Sequence, residues 1–202
     1  MDRVRQYTPT PKWALRIVAS TCIVSLLALP TVSAADVGQK TATSATVAAA
    51  TDAVPTLDTV PNLDFGENST PNTQSGRYSA TTVDQPLQVT NPGLTSGWAV
   101  QLKSAGFTDQ LGDTLRGAVL SLGAPAIMSL NTSNSSTLPT ANQVNVDGSG
   151  SDQVIWSAPQ NGGLGQWSAT YAANTVQLVV PAGQLAGRYT ATLTWQLDDT
   201  PQ

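Results

Sequence analysis

The sequence predicts an all-β fold, a single β-sandwich-like domain, and three observations predict it. Charged residues make up only 11% of the chain against 40% hydrophobic ones, and Thr, Ser, Asn and Gln supply the remaining polarity. Threonine alternating with aliphatic residues suits a pleated, half-buried surface, where β-branched side chains pack well. From Pro55 onward, short apolar runs are punctuated by Gly, Pro, Asn and Asp, the rhythm of a sandwich or barrel. No long run of Glu, Lys, Ala and Leu suggests a helix.

Three segments precede or make up that domain. Residues 1–34 read as a secretory signal peptide. Arg3, Arg5, Lys12 and Arg16 form a basic start, residues 17–29 are apolar up to Pro30, and the small residues Val32-Ser33-Ala34-Ala35 suit signal peptidase. The competing reading is a retained membrane anchor, but the apolar run falls short of the ~20 residues that span a bilayer, so no retained membrane span is expected. Cys22 raises the possibility of a lipoprotein. Ala19-Ser20-Thr21 before it lacks the pattern for that modification, and Cys22 lies midway through the apolar run. Residues 35–54, rich in Ala, Thr, Val and Ser without periodicity, read as a flexible linker. Residues 55–202 are the β domain.

Within that domain the predicted strands are residues 87–90, 98–103, 117–122, 126–131, 143–147, 153–157, 166–171, 175–180 and 188–197. Loops are expected at residues 131–136 and 147–152, and a turn at Gln160-Asn161-Gly162-Gly163. The last strand is the clearest. Tyr189, Ala191, Leu193, Trp195 and Leu197 fall on one face and Thr190, Thr192, Thr194 and Gln196 on the other, so the apolar face turns inward. Trp98, Val100 and Leu102 alternate with Ala99, Gln101 and Lys103 in the same way. Gly97 and Gly187 stand just before these two strands, where a tight approach or a bulge fits.

Composition excludes much chemistry. The chain has no His and one Cys, so a Ser-His-Asp triad, a Cys-His pair, a His-ligated metal, a Cys zinc knuckle and a disulfide framework are all out of reach within it. No cofactor or metal is expected. Cleavage after Ala34 removes four of the nine basic residues and one of the thirteen acids, taking the net charge from −4 to −7. So acidic a chain should not be drawn to nucleic acid or to anionic lipid.

The residues also carry a resemblance. Leu57-Asp58-Thr59-Val60-Pro61, Leu63-Asp64-Phe65-Gly66, Gly97-Trp98, the run from Leu115 to Leu122, and Ala186-Gly187-Arg188-Tyr189 leading into Trp195-Gln196-Leu197 together resemble the WxL domain. The likeness covers about residues 55–202. It rests on the spaced set of motifs, since a three-letter pattern alone is worthless. The resemblance implies a β-rich domain that holds proteins non-covalently on Gram-positive cell walls, through peptidoglycan or another cell-wall glycan. It also implies membrane-anchored WxL-interacting proteins as partners. The first motif departs from the family by reading Trp98-Ala99-Val100, with Val in place of Leu on the same face.

Trp98, Val100, Trp195 and Leu197 are therefore the candidate wall- or partner-binding residues. In a strand, Trp and the residue two later share a face. They either fill the core or form an apolar platform on which a sugar ring could stack, and the alternation continuous with Leu193 and Tyr189 favours the core. Trp156 and Trp167 carry the same ambiguity. Other signals are weaker. Leu138-Pro139-Thr140-Ala141-Asn142 departs from a sortase signal at its fourth position and lies mid-chain. Asn145 to Gly150 has misplaced glycines for a calcium loop, and Trp156 stands where the chelating Glu belongs. Asn68-Ser69-Thr70 and Asn131-Thr132-Ser133 fit a glycosylation pattern that carries little meaning in a bacterium.

Three functions remain: a non-enzymatic wall-binding module, an interaction subunit held by another surface protein, and a glycan hydrolase using a carboxylate pair from Asp109, Asp113, Asp147 and Asp152. Hydrolysis needs two carboxyls facing one bond. These acids stand in polar or Gly-rich segments, and Glu67 is the only Glu, so no catalytic residue is expected.

Overall fold

The computed structural model describes residues 44–47, 54–68 and 73–199. The segment expected to be a signal peptide, Cys22 within it, and most of the expected linker lie outside the described residues. All the strands belong to the compact unit Thr46–Gln202. In chain order they are β1 (Thr56–Thr59), β2 (Leu63–Asp64), β3 (Gly76–Ser79), β4 (Thr82–Val83), β5 (Leu87–Asn91), β6 (Trp98–Thr108) and β7 (Val119–Leu122). Then follow β8 (Ala126–Ser129), β9 (Thr140–Ala141), β10 (Val144–Val146), β11 (Gln153–Ala158), β12 (Gly165–Thr170), β13 (Val176–Val180) and β14 (Thr190–Asp198). One turn of 3-10 helix, Ala173–Thr175, leads into β13.

Every pairing is antiparallel. Three four-stranded sheets run in the orders β1-β5-β12-β8, β10-β7-β13-β3 and β14-β6-β11-β9, and β2 pairs with β4. The three larger sheets wrap one core. Leu87 and Val89 come from the first, Leu120, Leu122 and Val176 from the second, and Trp98, Val100, Leu102, Ile155 and Trp156 from the third. The domain is thus all-β and sandwich-like, as the sequence predicts.

Each predicted strand has a counterpart within a few residues, while β1, β2, β3, β4 and β9 were not expected as strands. Four of them are two to four residues long with at most two partly buried positions, too short for period-two alternation to register. β3 contains only one large apolar side chain, Tyr78. The other departure is β6, which continues to Thr108 because β14 pairs with it along its whole length. Gly97 has φ +90° and abuts β11, where an added Cβ would stand 2.6 Å from the Ala158 carbonyl oxygen. Gly187 lies outside the left-handed region, and the bulge falls inside β14, between Ala191 and Leu193. Asn161 and Gly163 adopt the left-handed conformation in the expected turn.

Candidate functional site

The two Trp motifs meet on one face of one sheet. β6 and β14 are neighbours, with Trp195 opposite Leu102 and Leu197 opposite Val100. Residues directly opposite in an antiparallel pair point the same way, so Trp195 and Leu197 extend the row formed by Trp98, Val100 and Leu102. On the other side of β6, Trp156 faces Val100 and Ala158 faces Trp98. Strands far apart in sequence therefore build one continuous apolar face.

Burial divides that face by depth. Trp98 is 1% exposed and Val100 fully buried, because β6 lies inside the sheet between β14 and β11. The Trp98 ring meets Trp156 edge-to-face, with centroids 5.0 Å apart and planes at 88°. Its Nε1–H donates to the Gly163 carbonyl oxygen at 3.1 Å. Trp156 is fully buried, and its Nε1 has no hydrogen-bond partner. Trp167, also buried, donates its Nε1–H to the Leu164 carbonyl oxygen at 3.0 Å. Trp195 and Leu197 are only half-buried, packed against the margin of the core. β14 is an edge strand, so one flank of each side chain lacks a neighbouring strand. Beside it, an opening of about 420 Å³ lies between Leu57, Asp58, Thr59 and Val60 of the β1 region and Leu193, Thr194 and Trp195 of β14.

A larger concavity lies elsewhere. A groove of about 860 Å³ is lined by residues of β3 and β13, of the far end of β6 and of the start of β14. Four half-buried rings line it: Phe65, Tyr78, Phe107 and Tyr189. A small second cluster of buried apolar residues, Ala118, Leu178 and Val180, lies beneath, with Phe65, Tyr78 and Phe107 packed on it. Exposed Asp64, Glu67, Asn68 and Arg188 stand among the groove's residues. The Tyr189 hydroxyl donates to the Leu185 carbonyl oxygen at 3.0 Å. Its pKa is raised by desolvation and then by the negative charges of Asp109 and Asp113. No local sequence pattern marks this groove, since its rings come from separate elements.

Of the carboxylates considered for hydrolysis, Asp109 and Asp147 are engaged in turns and Asp152 in an ion pair. Asp109 Oδ1 accepts the backbone N–H groups of Leu111 at 2.9 Å and Asp113 at 2.8 Å. Asp147 Oδ1 accepts the Ser149 N–H at 3.0 Å, and hydrogen bonds from the Ser149 backbone and side chain hold its carboxyl below the usual carboxylate range. Asp152 lies 3.5 Å from Lys103 Nζ. A general acid for glycoside cleavage requires the opposite shift, a raised pKa. Among the described residues no group of three or more acidic, His or Cys side chains is placed to hold a metal ion. No helix among them is long and apolar enough to cross a membrane.

Residues 32–201 match the family model described as WxL domain, surface cell wall-binding. No curated protein and no solved structure gives a significant match.

Proposed function

The chain belongs to the WxL family of surface, cell wall-binding domains, and from that premise we propose that it is an exported, non-enzymatic protein held non-covalently on peptidoglycan. The observation that carries this reading is the family match over residues 32–201. Two features of the chain support it. Three of the four acids considered for hydrolysis, Asp109, Asp147 and Asp152, are committed to turn hydrogen bonds or an ion pair. The absence of His and of any cysteine pair leaves no nucleophile–base arrangement of the common kinds. Trp98 and Val100 serve this function as packing, holding β6 against β11, and Trp195 and Leu197 pack against the same core at its margin. An acidic protein meets a neutral glycan mesh without electrostatic attraction, so binding should change little with salt.

A second reading is favoured by β14. It is a nine-residue edge strand with no charged side chain before Asp198, and such an edge is a template for strand addition by another protein. In that reading a membrane-anchored WxL-interacting protein supplies the strand, and the wall is touched only indirectly. Co-sedimentation of the purified chain with peptidoglycan stripped of teichoic acid separates the two. Pelleting of the protein alone supports direct binding. Pelleting only after a second surface protein is added supports the partner reading. Loss of turbidity from the wall suspension would contradict a non-enzymatic role.

A further inference from the structure

We propose that the aromatic groove between β3, β13 and the start of β14 is the saccharide subsite, taking the uncharged glycan backbone of the wall in preference to its peptides or anionic polymers. This rests on the wall-binding reading above and names the surface that performs it. The groove leaves four rings half-buried around about 860 Å³ of open space. A domain of this size ordinarily closes its core, and a concavity left open with rings and polar groups in its lining is a candidate binding site.

The chemistry of the lining selects the ligand. Pyranose rings offer apolar C–H faces that lie on aromatic rings, with hydroxyl and amide groups around the edge. The groove pairs the two requirements, rings on Phe65, Tyr78, Phe107 and Tyr189 with polar groups on Glu67, Asn68 and Arg188. Asp64 and Glu67 beside one Arg188 give no net positive field, and the chain carries −4 overall. A phosphate-rich polymer would find no cluster of bases there, whereas a neutral glycan needs none. The Trp motifs are a poorer platform. Trp98 and Trp156 are sealed inside the sheet, and the opening beside Trp195 has about half the groove's volume and no second aromatic ring in its lining.

The test titrates the purified, isotope-labelled chain with a soluble hexamer of β-1,4-linked N-acetylglucosamine, followed by amide NMR shifts, and pairs it with co-sedimentation on stripped peptidoglycan. Shifts should concentrate at residues 64–68, 78, 107 and 187–190. Tyr189→Ala should weaken both hexamer binding and pelleting about three- to ten-fold, the range expected for one stacked ring. Arg188→Ala, at an exposed position, checks the rim without threatening the fold and should also weaken binding. If the parent pellets and binds the hexamer but Tyr189→Ala and Arg188→Ala do so equally well, or if shifts cluster around Trp195, the groove assignment is overturned while wall binding stands. If the parent pellets but ignores the hexamer, the saccharide assignment is overturned in favour of the wall peptides. If the parent does not pellet at all, the wall-binding reading fails first and this one with it.

Discussion

Replacing Trp98 by alanine should destabilise the domain far more than the same change at Trp195, although both are the Trp of a motif. Trp98 is 1% exposed, so truncation removes a large buried side chain and leaves a cavity among Trp156, Val100 and Ala158. Core Trp→Ala changes cost about 3–5 kcal/mol. Within that total, the edge-to-face contact with Trp156 accounts for about 0.5–1.5 kcal/mol and the bond to Gly163 for a net ~1 kcal/mol. Trp195 keeps part of its surface in water, so its truncation should cost about half as much. At roughly 2–4 °C per kcal/mol for a domain of this size, Trp98→Ala should lower Tm by about 6–20 °C. Trp98→Phe keeps a ring against Trp156 but abandons the Gly163 carbonyl, and should fall between parent and Trp98→Ala. Thermal and urea unfolding followed by far-ultraviolet circular dichroism measure all four proteins. A Trp98→Ala variant that melts within about 3 °C of the parent, or higher than Trp195→Ala, would refute the interior placement.

Other expected outcomes follow from single contacts. Gly163→Ala should destabilise more than Gly112→Ala: both positions have positive φ, but a Cβ at 163 would lie 2.4 Å from Ala158 Cβ and 2.8 Å from Trp98 Nε1, whereas at 112 it meets nothing within 4 Å. Comparing the two melting curves separates the steric clash from the shared backbone strain. Tyr171 is buried without a hydrogen bond for its hydroxyl, so Tyr171→Phe should be neutral or stabilising by about 1 kcal/mol. Burial also pushes the Tyr171 pKa up. Its contribution to stability is complete below the unfolded value of about 10 and is lost as pH rises toward the folded value. Tyr171→Phe should therefore flatten the alkaline end of a Tm-against-pH curve. Asp84 behaves in the opposite sense. Its carboxylate accepts the Asn62 side-chain amide at 2.8 Å and the Asn62 backbone N–H at 2.7 Å, and those bonds hold its pKa below the usual range. That contribution is present above the unfolded value of about 4 and disappears as pH falls through the folded one, so Asp84→Asn should reduce the loss of Tm on acidification.

The parts of this structure that were legible in the sequence depend on local pattern. The alternation from Tyr189 to Leu197 identified a strand and its inward face correctly, because period two is a property of the strand itself. The turn at residues 160–163 was legible for the same reason. What depends on distant pairing was not. That Leu197 lies beside Val100 follows from β14 choosing β6, which no local pattern encodes. The same choice leaves Trp195 at an edge while sealing Trp98 inside, so two motifs of similar spelling differ in exposure. The groove was still harder to foresee. Phe65, Tyr78, Phe107 and Tyr189 belong to four separate segments, and only the pairing of strands distant in sequence brings them together.

The most direct test of the account is co-sedimentation of the purified chain with peptidoglycan stripped of teichoic acid, alongside Trp195→Ala, with circular dichroism confirming that both are folded. The parent should pellet without any partner protein and do so almost equally at low and high salt, since its acidic charge contributes no attraction. Folded Trp195→Ala should pellet nearly as well, because its side chain lies outside the aromatic groove. A folded parent that stays in solution would contradict direct wall binding.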